Sequence, residues 1–247
     1  MPGTVIPVER GSKQLYTTCT WTYREEQTEK SGPKATLFLP SGERYCGGWQ
    51  HNKREGTGTA VYLNKDKYEG EWLNDKRHGV GALWLNDNNR YRLQYTGEWQ
   101  KDKFDGRGIY YDENGSAYEG LWVKGLKQGH GQQMYVPEGG DGSSCDVYDG
   151  EWDEDNRSGM GTMRYANGDI YVGEWANDMK NGRGKFYYAK GAVYEGTWQE
   201  DVARCGSYTQ GTYEQQQETG ALPALQLENP DKVLTDSQTD LPPVVYY

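Results

Sequence analysis

The stretch Tyr171–Val193, YVGEWANDMKNGRGKFYYAKGAV, contains the pattern that decides the fold. A tyrosine opens it, a glycine and a tryptophan follow at the third and fifth positions, and a G-x-G pair comes at positions twelve and fourteen. The next tyrosine comes 23 residues after the first and starts the pattern again. A pattern that returns at an interval of this size indicates a tandem repeat.

Seven tyrosines open such units, and a glycine and a tryptophan follow each of them at the same distances. Successive tyrosines are 23 residues apart, except for 27 after Tyr68 and 30 after Tyr118. We predict that these tyrosines and tryptophans form the core of the repeat. They are Tyr45, Trp49, Tyr68, Trp72, Tyr95, Trp99, Tyr118, Trp122, Tyr148, Trp152, Tyr171, Trp175, Tyr194 and Trp198.

Within a unit the tyrosine, glycine and tryptophan occupy alternate positions. In a β-strand this spacing places all three on one side, whereas a helix would separate the rings at roughly 100° per residue. The residues between them are mostly acidic, as Glu69 and Glu71 are. The pattern therefore predicts a strand with one aromatic and one acidic side. A six-residue polar hairpin loop and a second strand that begins at the G-x-G pair should follow.

The glycines of the second strand are predicted to leave space for neighbouring rings, because a glycine inside a strand is otherwise unfavourable. Asn114-Gly115 and Asn167-Gly168 predict two-residue type I′ turns between units. Two insertions, Asn86–Gln94 and Pro137–Val147, fall in this turn region. Both are therefore predicted to project from the same edge of the array.

The ends of the chain depart from the pattern. Residues 1–15 are predicted to be a flexible arm, and residues 16–44 a degenerate repeat that contains Trp21 and has Gly32 one place off register. The array itself is assigned to residues 45–213. In its seventh unit Cys205-Gly206-Ser207 replaces the G-x-G pair, which predicts a shortened closing strand.

The tail, residues 214–247, is rich in Gln, Pro and acidic residues and is predicted to be mostly irregular. One segment, ENPDKVLTDS, has the signals of a helix start. Asn229 is a good N-cap and Pro230 suits the first helical position, so a short helix is predicted at residues 230–236.

The composition fits a sheet with one covered face. Only 34% of the 247 residues are hydrophobic, and much of the apolar material is in 21 Tyr and 9 Trp. The net charge of −10 argues against nucleic acid and anionic membranes as direct partners, since both bind basic surfaces. No apolar run approaches the ~20 residues of a membrane-spanning helix, and the first residues have no secretory signal.

The residues that carry chemistry do not form a recognisable site. Cys19, Cys46, Cys145 and Cys205 are scattered without a C-x-x-C pair, which predicts free thiols and a reduced, intracellular compartment. The three histidines have no metal-ligand spacing. Glu71, Glu98, Glu151 and Glu174 occupy the same position in four of the seven units and are interpreted as a surface stripe. We predict no catalytic residue, no cofactor and no metal.

The Tyr-x-Gly-x-Trp openings, each followed by G-x-G until the seventh unit, resemble the MORN repeat, the membrane occupation and recognition nexus motif. The resemblance covers roughly Tyr45 to Ser207. It implies an all-β fold, namely an elongated, twisted, single-layer antiparallel sheet of tandem β-hairpins. That expectation agrees with the strand pattern read from the residues.

At finer grain the chain resembles the short ciliary and testis-type MORN-repeat proteins, which consist almost entirely of the array and end with a broken unit. Here that unit reads DVARCGSY, with NPDKVL after it. The resemblance implies a non-catalytic scaffold or adaptor in the axoneme of motile cilia or flagella, within the cytoskeleton. Its partners would be spoke or doublet proteins, and a homodimer is left open. The alternative is a peripheral membrane adaptor that binds phosphoinositides through the repeats.

The two insertions supply the candidate partner contacts, because extra loop length on one edge is most simply explained by binding. The first carries Arg90, Tyr91 and Arg92, a basic and aromatic group typical of interface hot spots. The second is rich in Gly and Ser and carries Asp141 and Asp146. It is interpreted as a flexible segment that becomes ordered on docking.

Overall fold

The fold is one antiparallel sheet in which every strand pairs with its neighbours in the sequence. The computed structural model describes residues 30–88, 90–137 and 144–210, and these contain fifteen strands and no helix. The predicted all-β sheet of tandem hairpins is confirmed. The strands are β1 (Gly32–Phe38), β2 (Arg44–Gln50), β3 (Lys53–Val61), β4 (Lys67–Leu73), β5 (Lys76–Asp87), β6 (Arg90–Gln100), β7 (Lys103–Tyr111), β8 (Ala117–Val123), β9 (Leu126–Tyr135), β10 (Asp146–Asp153), β11 (Asn156–Arg164), β12 (Ile170–Ala176), β13 (Met179–Tyr187), β14 (Ala192–Gln199) and β15 (Val202–Gln210).

Several sequence predictions concern residues outside these ranges. They are the arm at 1–15, the part of the degenerate repeat that contains Cys19 and Trp21, and the tail with its helix at 230–236.

The tyrosines and tryptophans of the repeat form one continuous ladder on one face of the sheet, which we call the closed face. Each tyrosine from Tyr45 to Tyr171 meets two tryptophans edge to face, its own and that of the next unit. The ring centroids are 5.0–5.9 Å apart and the planes are nearly perpendicular. Edge-to-face pairs of this kind are favourable beyond the area that they bury. The contact between Tyr118 and Trp152 continues the ladder past the seven-residue insertion.

Paired glycines make room for the tyrosines. Gly97 of β6 lies opposite Gly108 of β7, and the ring of Tyr95 covers both. A Cβ atom added to Gly108 would overlap the hydroxyl and ring of Tyr95. Gly81, Gly131, Gly161 and Gly184 lie against their own tyrosines in the same way. The glycines are therefore required by the ring above them.

Most rings of the ladder also donate a hydrogen bond to the backbone. The hydroxyl of Tyr95 donates to the carbonyl of Glu98 at 2.8 Å, and its counterparts from Tyr45 to Tyr171 do the same at 2.9–3.1 Å. The indole Nε1 of Trp99 donates to the carbonyl of Gly81 in the preceding unit at 3.0 Å. Most buried polar groups of the ladder are thus satisfied within a single layer, whereas the indole Nε1 groups of Trp49 and Trp198, at its two ends, make no hydrogen bond within the described residues.

The six polar residues after each tryptophan are not a loop, so that prediction was wrong. Only two of them form the turn, as Asn74 and Asp75 do with φ of 52° and 66°. Positive φ at both positions is the geometry of a type I′ turn. The next three residues, Lys76 to His78, already belong to β5, where Arg77 pairs with Trp72.

The type I′ predictions at Asn114-Gly115 and Asn167-Gly168 were also wrong, because both loops have the same form. Gly115 N donates to the carbonyl of Asp112 at 3.3 Å, and Asp112 N donates to the carbonyl of Ser116 at 2.8 Å. The loop has three residues, 113–115, of which only Gly115 has positive φ. This is a type I turn closed by a left-handed glycine. The type I′ turns therefore lie at the opposite edge of the sheet.

The type I′ turns of successive units interlock. Asp75 accepts from the backbone N of Arg54 in the preceding unit at 2.8 Å, and the guanidinium of Arg54 lies 4.0 Å from the ring centroid of Trp72. Each junction of this kind joins a carboxylate to a cation that covers the next tryptophan. The pairs are Arg54–Asp75, Arg77–Asp102, Lys127–Asp155, Arg157–Asp178 and Lys180–Asp201.

One junction replaces both partners together. Phe104 stands where the five pairs above have Arg or Lys, and Gly125 stands where they have Asp. Phe104 stacks on Tyr95 at 3.8 Å and meets Trp122 edge to face at 5.3 Å. The apolar ring needs no counter-charge, so the cation and the carboxylate are replaced together.

The two ends of the sheet also differ from the predictions. Gly32 pairs with Trp49 as Gly56 pairs with Trp72, so it is in register, and a bulge between Lys34 and Leu37 absorbs the extra residue. The closing strand β15 has nine residues and is not shortened. All nine are exposed, because β15 is the edge of the sheet.

We predict that Gly108→Ala destabilises the protein by about 2–3 kcal/mol, because the new methyl group overpacks against the ring of Tyr95. Arg107→Ala, next to it on the exposed surface, should change the free energy of unfolding by less than about 0.5 kcal/mol. Urea unfolding of both variants measures the difference. Equal small effects would contradict the role assigned to the glycines.

The Phe104–Gly125 junction predicts a coupled pair of substitutions. Phe104→Arg with Gly125→Asp rebuilds the junction of the other units, and Asp tolerates this turn position, with φ of 64–70° in five units. A double-mutant cycle should give a favourable coupling of about 1 kcal/mol or more. Additive single effects would show that cation and carboxylate do not act together.

Candidate interaction surfaces

The aromatic rings of the closed face are buried too deeply to contact a partner protein. The six tyrosines from Tyr45 to Tyr171 are at most 1% exposed, and the tryptophans of the ladder are 3–8% exposed. Arginine and lysine side chains cover the tryptophans from outside, as Arg77 covers Trp99 at 4.3 Å. Tyr194, in the last hairpin, is only partly buried. These rings act as the core of the sheet.

Burial on the closed face shifts the acid–base behaviour of several groups. Removal from water raises the pKa of Tyr68 and of its five equivalents far above the ordinary value, because the phenolate would lose its hydration. The same cause lowers the pKa of Lys127, whose ammonium lies 4.6 Å from the ring centroid of Trp152.

The first insertion lengthens a hairpin. Strands β5 and β6 continue to the pair Asp87 and Arg90, so the extra residues form additional rungs of the sheet. Arg90 and Tyr91 at its end are exposed, Tyr91 to 45%. Arg92 instead donates to the carbonyls of Tyr111 and Asp112 at 3.3 and 3.0 Å and so fastens the hairpin to the next turn.

A lysine from the neighbouring strand also holds this hairpin. The ammonium of Lys67 lies 5.2 Å from the ring centroid of Trp84 and 5.1 Å from that of Tyr91. Its charge is paired with Glu69 at 2.9 Å. The hairpin is therefore a supported extension of the sheet, with Arg90 and one side of Tyr91 available to a partner.

The second insertion contributes one structural carboxylate. Asp146 is the first residue of β10, and its carboxylate accepts from Ala166 N in the next turn at 2.8 Å. Asp66 and Asp169 make the equivalent bond at 2.8 Å. Asp146 thus has a role in joining units, whereas Asp141 lies outside the described residues.

The opposite side of the sheet, which we call the open face, carries troughs along the glycine pairs. One trough of about 520 Å³ lies over strands β6–β10, with Gly108 and Gly120 in its floor and Ile109, Leu121 and His130 among its walls. A second of about 430 Å³ lies over β11–β14. The glycines are bare on this side because their tyrosines lie on the other.

The recurring glutamates of the open face have a structural task. Glu71 lies opposite a bulge at Gly79, which has a φ of 56°, and its carboxylate accepts from Val80 N at 3.1 Å. Glu98 accepts from Arg107 N at 3.0 Å in the same way. Extra residues at bulges leave backbone groups unpaired, and these carboxylates satisfy them.

Sequence reasoning missed the apolar residues of the open face. Val80, Leu121 and Met160 are 54%, 40% and 53% exposed. The signal was present in the repeat, because these residues fill positions between the motif residues that point away from the ring ladder. These positions differ from unit to unit, so the repeat pattern of Tyr, Gly and Trp does not mark them.

No metal or membrane element appears in the described ranges. Across 30–88, 90–137 and 144–210, no group of three or more His, Cys, Asp or Glu side chains could hold a metal ion. The same ranges contain no helix long and apolar enough to cross a membrane. Cys46, Cys145 and Cys205 have free thiols.

Comparison with known proteins supports the repeat assignment. A family model described as the MORN repeat matches residues 45–67, 68–90, 95–117, 118–137, 148–170 and 171–193. Among solved structures, the chain is similar to the SAS-4 (dCPAP) TCP domain of Drosophila melanogaster, solved in complex with a proline-rich motif of Ana2 (dSTIL). The identity is 8% and the TM-score 0.35, over 80% of this chain and 86% of that chain. Comparison with curated proteins finds no match.

The buried tyrosines predict steep alkaline unfolding. Because burial raises their pKa above the unfolded value, their contribution to stability is complete below pH ~10 and is lost as the pH rises further. With six such groups, the free energy of unfolding should fall by roughly 8 kcal/mol per pH unit above pH ~10.5. Urea unfolding at a series of pH values measures this slope.

Tyr95→Phe provides the control for that slope. It removes one buried phenol, so the fall should become shallower by about 1.4 kcal/mol per pH unit even though the variant starts from a lower stability. A slope that is unchanged in the variant would contradict the assigned burial effect. So would a titration of the native protein in which all 21 tyrosines ionise near the ordinary pKa.

Proposed function

Because the chain belongs to the MORN-repeat family, we propose that it is a non-catalytic scaffold whose sheet holds other proteins in place. The repeats indicate a protein-interaction scaffold in general terms. The observation that supports the proposal most is the division of the sheet into a closed face, which is filled by its own rings, and an open face with exposed apolar side chains.

The dimensions suit a spacer between partners. The fifteen strands are separated by fourteen intervals of ~4.8 Å, which gives a sheet of about 67 Å along the direction in which the strands stack. Backbone bonds and interlocked turns join every unit to the next, so positions along the sheet are held at set separations. A scaffold needs such separations more than it needs a catalytic pocket.

We place this scaffold in the axoneme of motile cilia or flagella, with spoke or doublet proteins as partners. Support comes from the likeness to short ciliary MORN-repeat proteins, including the broken last unit at Cys205 and the NPDKVL segment. The hairpin end with Arg90 and Tyr91 would supply one contact, since Arg and Tyr are enriched at interface hot spots.

Extraction of cilia tests this proposal. The protein should remain with the microtubule fraction after detergent and salt treatment. Arg90→Glu with Tyr91→Ser should reduce the retained fraction at least about tenfold, because an interface hot spot is lost while the backbone pairing remains. The melting temperature should stay within a few degrees of the unchanged protein, as exposed substitutions usually allow.

A matched control uses the same residue types at the edge strand. Arg204→Glu with Tyr208→Ser changes two exposed side chains of β15, and retention should be unaffected. Release of the unchanged protein by detergent would contradict the proposed localisation in the axoneme. Sedimentation with phosphoinositide-containing vesicles, compared with vesicles that lack them, would instead favour the membrane adaptor.

A further inference from the structure

Three exposed apolar side chains lie together on the open face of the hairpin formed by β8 and β9. Leu121, Val123 and Leu126 are 40%, 46% and 39% exposed. Val123 and Leu126 are cross-strand partners next to the turn, and Leu121 follows two residues away on the same side of β8. We call these three residues the β8–β9 patch.

This combination is specific to one unit. At the position of Leu121, the other units from Tyr68 to Tyr171 have a glutamate, and at the position of Leu126 the two preceding units have Lys76 and Lys103. In none of the other described units are all three positions large and apolar. The equivalent triplets are Gly48, Gln50 and Lys53; Glu71, Leu73 and Lys76; Glu98, Gln100 and Lys103; Glu151, Asp153 and Asn156; Glu174, Ala176 and Met179; and Thr197, Gln199 and Val202.

The fold does not require the patch. In neighbouring units the glutamate at this position accepts a backbone N–H beside the bulge, as Glu98 does from Arg107 at 3.0 Å. Leu121 packs beside the bulge glycine Gly129, but a leucine side chain has no acceptor to offer. The substitution therefore forgoes a structural hydrogen bond and exposes apolar surface to water. Departures of this kind from a local rule are expected at functional sites.

The patch opens directly into the larger trough. Leu121 forms part of the trough wall, together with Ile109 and His130, and the bare backbone of Gly108 and Gly120 forms its floor. The volume of about 520 Å³ has room for a large apolar side chain of a partner. A patch beside a concave surface provides an anchor point of the kind that interface hot spots use.

The charges around the patch are unequal on its two sides. On β10, two strands from β8, Asp149, Glu151 and Asp153 lie at alternate positions on the open face. Asp149 is paired with His130 at 3.3 Å, and Asp153 accepts from Gln128 at 3.0 Å, so the row stays acidic overall. On the other side, Arg107 lies opposite Leu121 on β7.

We propose that the β8–β9 patch is the docking site for a partner protein segment that presents two or three adjacent large apolar side chains with Lys or Arg on one side of them. The apolar side chains pack on Leu121, Val123 and Leu126 and enter the trough. The basic side chains face the carboxylates of β10, an arrangement that also repels acidic competitors. The inference rests on the scaffold function proposed above and names the chemistry of one of its partners.

Selection of random linear peptides displayed on phage, with the full chain as bait, tests this inference. The enriched peptides should share an apolar cluster flanked by Lys or Arg, and a synthetic peptide from that set should bind the full chain in solution. Enrichment of acidic peptides, or of none, would overturn the proposal.

The decisive variant carries Leu121→Glu, Val123→Gln and Leu126→Lys, which installs the residues of the preceding unit, Glu98, Gln100 and Lys103. Those residues already fit this fold, so the variant should melt no lower than the unchanged protein. Its affinity for the selected peptide should fall at least about tenfold. Met160→Glu alters an equally exposed apolar residue in another unit and should leave binding unchanged.

A second variant tests the charges. Asp149→Asn with Asp153→Asn, which leaves the bulge glutamate Glu151 in place, should weaken binding of the basic peptide and reduce its dependence on salt. Equal binding by either variant and the unchanged chain would overturn the site. Retention in the axonemal fraction is measured separately. If the protein stays with the microtubules but the patch binds no peptide, this inference is refuted and the scaffold function still stands.

Discussion

The structure depends on the placement of a tyrosine ring over a pair of glycines. A single-layer sheet has no second layer to cover its core, so the apolar surface must be buried by the side chains of the sheet itself. Because Gly97 and Gly108 have no side chains, the ring of Tyr95 can lie flat on the backbone. Two tryptophans then pack against that ring in edge-to-face geometry. Cations cover the outer side of this ladder at five junctions, and backbone hydrogen bonds between successive turns join the units there and at Phe104.

The sequence was sufficient for the strands, their order and the ring face, because Tyr, Gly and Trp recur with the period of a strand. It was insufficient for the turns. The charged residues Lys76 to His78 look like loop, yet they are strand partners of β4, and only the cross-strand register reveals it. The coupled replacement at Phe104 and Gly125 was hidden because its partners are 21 residues apart and meet only in the fold. For the candidate site, the sequence was sufficient to identify Arg90 and Tyr91 as exposed residues. It did not show that Arg92 donates a hydrogen bond to the backbone of a neighbouring turn.

The two faces divide the tasks of the molecule. On the closed face the tyrosines, tryptophans and paired glycines repeat because each ring is required by the next, and the replacement of a cation by Phe104 is compensated within the same face. The open face is free to vary wherever a side chain is not capping a bulge. Differences among units, such as Leu121 in place of a glutamate, therefore distinguish one position along the scaffold from another. On the function proposed above, this variation is where recognition of different partners would be encoded.

The strand order has a mechanical consequence. Every strand runs across the long direction of the sheet, so a pull on its two ends acts along the inter-strand hydrogen bonds and opens them one row at a time, beginning at an edge such as β15. A force applied parallel to the strands must instead shear all the bonds of a row together, which takes a larger force. A partner that pulls on the hairpin tips along the strand direction would therefore load the sheet in its strong direction. Attachment through the terminal strands would instead load the sheet in the direction in which it opens at the lower force.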